Sequence, residues 1–194
     1  GALEVFADVQ VSGKVCLDAG ASTGGFTDVL LRAGAKLVVA VDVGYGQLAW
    51  ELRQDPRVKI LDRTNIRHLT GEMVGEEIDL VVADLSFISL SLVLPALAAV
   101  SRPNADYVLM VKPQFEVGRE KLGAGGVVRD PLLRRAAVLD VAESAYDVGL
   151  GTMGIAASPL PGPAGNVEYF LWLRRGAPAI DEAALDLAIE MGPA

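Results

Sequence analysis

The segment KVCLDAGASTGGF, residues 14–26, decides the fold of this chain. A short apolar run ends in Asp18, and Gly20, Gly24 and Gly25 then follow ahead of a helix-like stretch. Because glycine has no side chain, the backbone N–H groups of such a loop can approach a ligand closely beside a helix N-terminus. The spacing is G-x-x-x-G-G and differs from the G-x-G-x-x-G of dinucleotide-binding proteins. The loop therefore predicts a nucleotide-type cradle, with a purely structural tight turn as the alternative.

Apolar runs of strand length alternate with helix-length segments around this loop. We predict strands at residues 14–17, 37–43, 58–61, 78–83, 107–111, 153–158 and 167–173, and helices at 26–33, 47–53, 87–100, 131–149 and 179–191. Alternation of this kind indicates parallel strands with helices on both faces of the sheet. Residues 159–166, PLPGPAGN, are too short and too rich in proline and glycine for a crossover helix. The last two strands should therefore pair as an antiparallel hairpin.

These elements predict an α/β protein with a Rossmann-like methyltransferase fold. Its sheet would have seven strands, mostly parallel, ending in a C-terminal antiparallel hairpin, with helices on both faces. Such a hairpin is typical of S-adenosylmethionine-dependent methyltransferases, whereas dinucleotide dehydrogenases usually continue with another parallel strand. The length of 194 residues and the 52% content of hydrophobic residues suit one domain with a filled core, so residues 1–194 are interpreted as a single domain.

The composition excludes several other classes of protein. The chain has one cysteine, Cys16, and one histidine, His68, so neither an internal disulfide nor a soft-ligand zinc site is expected, and we predict no metal. Residues 85–101 form the longest uncharged stretch, but they include Pro95 and fall below the roughly 20 apolar residues of a membrane helix. We therefore expect a reduced, cytoplasmic protein without stable membrane insertion.

The charge of the chain is unevenly distributed. The net charge of −8 argues against a generally basic nucleic-acid binder. Residues 112–135, however, contain six basic and three acidic side chains. Arg119, Lys121 and Arg129 are the candidate RNA phosphate contacts of this stretch, whose four glycines at residues 116–128 suggest a mobile loop beside the site. A solvated loop without a partner is the alternative.

Acidic residues follow the predicted strands where ligands bind in open α/β sheets. Asp42 lies 22 residues beyond Gly20, where a carboxylate can accept hydrogen bonds from both ribose hydroxyls of an adenosine. Asp62 ends the third strand and would meet the adenine edge, or else cap a helix. The predicted cofactor site consists of Gly20, Ser22, Thr23, Gly24, Gly25, Phe26, Asp42, Asp62 and Asp84.

Two opposite charges end the next pair of strands. Asp84 follows the fourth strand and Lys112 the fifth, so both should lie at the same edge of the sheet. Glu168 alternates with apolar neighbours in a way that would direct it into the same cleft. We predict Asp84, Lys112 and Glu168 as catalytic residues, and a structural ion pair is the alternative interpretation.

Five motifs taken together resemble one family over nearly the whole chain. They are DAGASTGGFT (18–27), DVGYGQLAW (42–50), VADLSFIS (82–89), VKPQFEVG (111–118) and SPLPGPAGNVEYFLW (158–172). In this order they resemble the TlyA ribosomal RNA 2′-O-methyltransferases, relatives of the FtsJ group, whose members also carry the name haemolysin. The resemblance implies S-adenosylmethionine as cofactor and methylation of the ribose 2′-hydroxyl of cytidines in 16S and 23S ribosomal RNA, with ribosomal RNA or ribosomal subunits as partners.

The resemblance also implies a Lys-Asp-Lys-Glu catalytic set. Asp84, Lys112 and Glu168 match its last three members by motif. The first lysine and a small N-terminal RNA-binding domain would lie upstream of Gly1, which puts the activity of these 194 residues alone in doubt. A methyl group on a sulfonium is already activated, so the enzyme mainly has to align the 2′-oxygen and remove its proton. Lys112 is the candidate base.

Three other functions remain open at this point. A membrane-active haemolysin would need a membrane span or a strongly basic amphipathic helix, and the sequence offers neither. A methyltransferase of small molecules would use the same cradle, although the positive loop argues against it. A cofactor-sensing module would bind the cofactor without transferring its methyl group.

Overall fold

A seven-stranded sheet forms the centre of the structure, a computed structural model that describes residues 1–118, 120 and 122–193. The strands are β1 Val15–Ala19, β2 Leu37–Val41, β3 Val58–Leu61, β4 Ile78–Ala83, β5 Ser101–Val111, β6 Leu150–Ala157 and β7 Tyr169–Arg175. Their order in the sheet is β3-β2-β1-β4-β5-β7-β6, and β7 is antiparallel to both of its neighbours. The predicted mostly parallel sheet with a terminal antiparallel hairpin is confirmed.

Helices cover both faces of this sheet, as predicted. The helices in the described residues are α1 Ala2–Val5, α2 Gly25–Arg32, α3 Trp50–Gln54, α4 Gly71–Val74, α5 Leu94–Val100, α6 Pro113–Glu116, α7 Pro131–Asp147 and α8 Glu182–Glu190. On one face, α5, α7 and α8 bury apolar residues against β1, β4, β5 and β7. On the other face, Phe6, Leu30 and Leu31 pack against Trp172 and its neighbours. Burial of both faces explains why the inner strands are almost continuously apolar.

Two predicted helices are shorter in the structure than the sequence suggested. The predicted helix at 87–100 is replaced by a 3-10 turn at Leu90–Leu92 and then α5. Phe87 has a φ of 64°, which no α-helix permits, and Pro95 lies in the first turn of α5. The helix predicted at 47–53 begins only at Trp50. Both changes leave irregular backbone directly after β2 and β4, at the edge of the sheet where ligands bind.

The strand order reverses beside β1. From β1 the chain proceeds outward to β2 and β3, then returns to β4 on the other side and continues to β5. Loops that leave β1 and β4 in this arrangement diverge and open a crevice beyond the carboxyl ends of the strands. The glycine loop, Asp84 and Lys112 all lie at this edge. No helix among the described residues has the length and apolar composition needed to cross a membrane.

A buried charge cluster joins β5 to β7. Asp106, only 5% exposed, accepts hydrogen bonds from Trp172 Nε1 at 2.8 Å and from Arg174 Nε at 2.9 Å. The ring of Trp172 also packs against Phe6, with the ring centroids 5.7 Å apart. Asp106 therefore stabilises the pairing of β5 with β7 and, through Trp172, the packing of Phe6 near the N-terminus.

Replacement of Asp106 by alanine should destabilise the protein by about 3 kcal/mol, because the buried Trp172 N–H and the Arg174 guanidinium both lose their partner. Urea unfolding followed by circular dichroism measures the change. Glu77→Ala is the matched control, since it removes an ion pair of Arg102 whose glutamate is 73% exposed; it should cost below about 1 kcal/mol. Equal losses in the two variants would contradict the role given to Asp106.

Candidate active site

The glycine loop after β1 lies directly against the loop after β4. Gly20 has a φ of 86°, and a Cβ built on it would collide with the backbone carbonyl oxygen of Asp84 and lie 3.0 Å from Leu85 Cδ2. Gly24, with a φ of 104°, begins α2, and a Cβ there would lie 2.8 Å from Leu48 Cδ1. Glycine at these two positions therefore permits the close approach of three loops.

Several N–H groups at the start of this loop bind the protein itself, which differs from the expected ligand-facing cradle. Gly20 N and Ala21 N both donate to Val41 O, at 2.9 and 3.1 Å. Ser22 N donates to the Asp42 carboxylate at 2.8 Å. These bonds fix the loop on the end of β2. Residues 20–22 consequently contribute a shaped wall to the crevice, and their N–H groups are already paired within the protein.

Asp42 lies in the wall of a cavity of about 350 Å³ at the reversal point. Its two carboxylate oxygens accept hydrogen bonds from Ser22 N and from Gly44 N, the latter at 2.7 Å. An ionised carboxylate can accept about four hydrogen bonds, so each oxygen keeps capacity for a ligand hydroxyl. The other lining side chains are largely apolar and include Val41, Val43, Ile66, Leu85, Ile88 and Val93. A carboxylate beside apolar walls fits a ribose joined to a flat base.

Some predicted cofactor residues do not line this cavity. Gly20, Ser22, Asp42 and Asp84 line it, whereas Asp62 accepts hydrogen bonds from Gly46 N at 3.2 Å and Arg53 Nη1 at 3.3 Å. Asp62 thereby braces the loop after β2 and lies outside the lining.

The remaining predicted loop residues also serve neighbouring structure. The carbonyl of Thr23 accepts a hydrogen bond from Ala49 N at 3.0 Å, and Gly24 and Gly25 begin α2. Phe26 lines a second cavity. Lining residues that were not predicted include Gln47, Asn65 and Phe87. Gln47 and Phe87 lie inside the quoted motifs, and that position was the available indication.

Asp18 carries a buried charge beneath the glycine loop. One carboxylate oxygen accepts a hydrogen bond from Thr27 Oγ1 at 2.6 Å, and the other is buried without a partner among the described residues. Burial raises the pKa of Asp18 to about 6, the Thr27 hydrogen bonds oppose this, and the nearby Asp84 and Asp42 charges add to it. A positively charged ligand group in the crevice would favour the ionised carboxylate.

Asp84 and Lys112 form an ion pair at the ends of β4 and β5. Lys112 Nζ contacts Asp84 Oδ1 and also donates a hydrogen bond to Ser86 Oγ at 3.3 Å. Asp84 lines the first cavity and also a second one of about 430 Å³, which Lys112 shares. The pair therefore lies where the two cavities adjoin.

Glu168 completes the cluster from the loop before β7. It is 6% exposed, lines the second cavity with Lys112, and accepts a hydrogen bond from Gln114 Nε2 at 3.2 Å. Burial raises the pKa of Glu168, while the Lys112 charge and the Gln114 hydrogen bond oppose the rise and the Asp84 charge adds to it. The three residues predicted as catalytic thus lie around one cavity.

The one-turn helix α6 links the loops of this cluster. It begins immediately after Lys112 with Pro113, whose fixed φ and missing N–H suit a first helical position. Phe115 packs its ring 5.0 Å from that of Phe87. Glu116 accepts a hydrogen bond from Leu90 N at 2.9 Å, and burial raises its pKa. With the Gln114 contact, consecutive side chains of α6 reach two different loops.

The predicted RNA contacts belong to the glycine-rich segment that follows α6. Arg119 and Lys121 lie outside the described residues, and Arg129 is exposed. Beside Arg129, the buried Asn166 accepts a hydrogen bond from Val128 N at 2.9 Å and donates one to Gly126 O at 3.1 Å. This clasp joins the glycine-rich segment to the loop that precedes Glu168.

Two further basic side chains lie beside the first cavity. Arg63 and Arg67 are exposed and flank Asn65 and Ile66, which line that cavity. The Arg63 guanidinium lies 4.3 Å from the centre of the Tyr45 ring. The sequence analysis did not predict them, because only the turn after β3 brings them to the crevice.

The chain is similar to known proteins in both sequence and structure. The family model of the FtsJ-like methyltransferases matches residues 1–175. The chain belongs to the FtsJ-like methyltransferase family. The 16S/23S rRNA (cytidine-2′-O)-methyltransferase TlyA of Mycobacterium tuberculosis is 65% identical over 90% of this chain and 65% of its own length, so the chain spans under two thirds of that relative.

Other members of the family carry different names. Hemolysin A of Brachyspira hyodysenteriae is 40% identical over 83% of this chain and 68% of its own. A solved Streptococcus thermophilus protein, named as a candidate hemolysin, is 41% identical with a TM-score of 0.92 over 97% of this chain and 69% of its own. This solved relative shares the fold of the chain almost throughout, so the crevice at the reversal point is part of the shared fold.

Asp18→Asn should change the pH dependence of stability. Because the folded-state pKa is raised from 3.8 to about 6, ionisation weakens the wild type as pH rises through this window. The neutral variant should therefore be more stable by about 2–3 kcal/mol near pH 8, with no such gain near pH 4. Denaturant unfolding at both pH values measures this. Thr27→Val removes a stabilising hydrogen bond and should act in the opposite direction; parallel pH profiles for all three proteins would contradict the assignment.

Proposed function

We propose that this chain is the catalytic domain, residues 1–194, of an S-adenosylmethionine-dependent methyltransferase that modifies the ribose 2′-hydroxyl of cytidines in 16S and 23S ribosomal RNA. The observation that carries the proposal is the Asp84–Lys112 ion pair at the junction of two cavities. One cavity suits an adenosine and the other leaves space for a nucleotide beside an acid and an amine. The name of the Mycobacterium tuberculosis relative supports the cytidine 2′-hydroxyl as the target.

The residues of the first cavity fit an adenosyl cofactor. Asp42 would hold the ribose hydroxyls, and the apolar side chains of Ile66 and Ile88 would contact the base. The collision that a Cβ at Gly20 would cause with the Asp84 carbonyl shows that the loops after β1 and β4 form one wall of this cavity. When bound, S-adenosylmethionine supplies a methyl group activated by a positively charged sulfur.

Lys112 would act on the 2′-hydroxyl group of the substrate. In its neutral form the amine would orient the hydroxyl oxygen and take up the hydroxyl proton, while the methyl carbon exchanges its bond to sulfur for a bond to this oxygen. Asp84 contacts the amine directly, and Glu168 faces it from the loop before β7. Two carboxylates on different elements restrict the position of the amine, and alignment of the reacting oxygen is the larger part of such catalysis.

An exposed aromatic surface at the mouth of the first cavity supports RNA as the substrate. Phe87 is 90% exposed and has a φ of 64°. Both features are unfavourable for a bulky apolar side chain, and a ligand that covers the ring would offset the exposure. Its ring rests against Phe115 and faces the crevice, and such rings stack on unpaired bases. The exposed Arg63, Arg67 and Arg129 would contact phosphates, together with the predicted Arg119 and Lys121.

The test of this function uses the full-length protein that contains the chain. Radiolabelled methyl transfer from S-adenosylmethionine to ribosomal subunits, followed by digestion to nucleosides, should yield 2′-O-methylcytidine. Cofactor binding with no transfer to any RNA would favour a small-molecule methyltransferase or a sensing module. Leakage of lipid vesicles without cofactor, and no transfer, would favour the membrane-active alternative.

Lys112→Ala should bind S-adenosylmethionine with an affinity within about threefold of wild type but lose about 100-fold or more in the rate of methyl transfer, because only the reacting step uses the amine. Calorimetry measures the first quantity and single-turnover transfer the second. Lys36→Ala, an exposed lysine just before β2, is the control. Near-normal turnover of Lys112→Ala would remove this residue from the mechanism.

Phe87→Ala should weaken RNA binding by about 1–3 kcal/mol, the range for loss of one base–aromatic stack. It should change S-adenosylmethionine affinity less, because the ring is 90% exposed at the mouth of the first cavity. Phe87→Trp should retain most of the affinity because it keeps a flat ring. Filter binding to ribosomal subunits at fixed salt measures both variants. The stacking role would be excluded if alanine and tryptophan gave the same affinity.

A further inference from the structure

Gln114 has a side chain that the reaction as described does not use. It lies in the first turn of α6, two residues after Lys112. Its amide Nε2 donates a hydrogen bond to Glu168 Oε1 at 3.2 Å, and its carbonyl Oε1 is buried without a partner among the described residues. A buried acceptor without a partner is unfavourable, and native structures keep one mainly where a ligand or water completes it.

The carboxylate of Glu168 is held from two sides. Gln114 contacts Oε1, and a Cβ built on Gly162 would lie 2.6 Å from the same oxygen. Gly162 N in turn donates to Asn166 O at 2.8 Å, which fixes the loop that passes over Glu168. Glycine at residue 162 therefore leaves just enough space for the carboxylate, and Gln114 supplies its hydrogen bond.

We propose that Gln114 is a positioning residue for methyl transfer: its amide fixes the Glu168 carboxylate at the cavity that Glu168 shares with Lys112. The inference rests on the proposed function, since it concerns the same site. The position of Gln114 supports it, because α6 follows β5 directly and lies beside Glu168, which precedes β7. No other described side chain donates a hydrogen bond to Glu168.

Gln114 should also influence the protonation of Glu168. The charged groups that face this carboxylate are Lys112, which lowers its pKa, and Asp84, which raises it. The Gln114 hydrogen bond lowers the pKa as well, against the larger effect of burial. Loss of the donor should therefore raise the pKa, so that Glu168 becomes neutral at a higher pH and the acid limb of the rate profile moves upward.

The experiment is single-turnover methyl transfer to ribosomal subunits by the full-length protein across a range of pH. Gln114→Leu should lower the rate about tenfold near neutral pH and move the acid limb upward by about one pH unit. Gln114→Glu keeps an acceptor of the same shape but replaces the donor with a carboxylate, and should move the limb at least as far. Gln114→Glu occupies the same space as Gln114 and should keep cofactor affinity close to wild type, so the test stays valid if the leucine variant folds poorly. Its melting temperature should fall as pH rises, because two carboxylates would then adjoin.

A double-mutant cycle separates positioning from general disturbance. In a Glu168→Gln background, Gln114→Leu should change the rate less than about twofold, because the residue through which it acts is already altered. Glu116→Gln alters the same helix but contacts Leu90, so its acid limb should coincide with that of wild type. Independent, additive losses or an unshifted limb in both Gln114 variants would overturn the inference. Absence of transfer by the wild type would instead overturn the proposed function.

Discussion

The ion pair between Asp84 and Lys112 is the interaction on which the site depends. It requires that β4 and β5 be parallel neighbours in register, because only then do the residues after Ala83 and Val111 meet at one edge. A partly buried ion pair is stable only when further polar contacts satisfy both partners, and Ser86 and the facing Glu168 provide them. The order of the strands thus places the loop after β4, the loop after β5 and the loop before β7 around the amine of Lys112.

The site concentrates negative charge at a cost to the stability of the chain without ligand. Asp18 and Glu168 are buried acids whose pKa values are raised, and Asp84 lies close enough to raise both. A single amine, Lys112, offsets part of this charge within the cluster. A ligand with positive charge would relieve the repulsion, so the same feature that weakens the folded chain favours such a ligand.

The sequence predicted the strand ends well and the loops poorly. Asp42, Asp84 and Lys112 were predicted because apolar runs define where strands stop, and the edge of a parallel sheet follows from that. Asp62 was predicted by the same rule, yet its carboxylate binds Arg53 and Gly46, a contact that depends on how the loop after β2 folds. Phe87 was assigned to a helix because its positive φ is imposed by tertiary contacts and leaves no local pattern.

The short helix α6 explains how a substrate contact could reach the reacting amine without a long-range change of shape. Its side chains connect Phe87 at the mouth of one cavity to Glu168 inside the other, across a single helical turn that starts at Lys112. Rigid connections of this length hold a site in its reactive geometry before a ligand arrives. Proline directly after Lys112 then has a physical reason, because it starts the turn at the residue whose amine must be aligned.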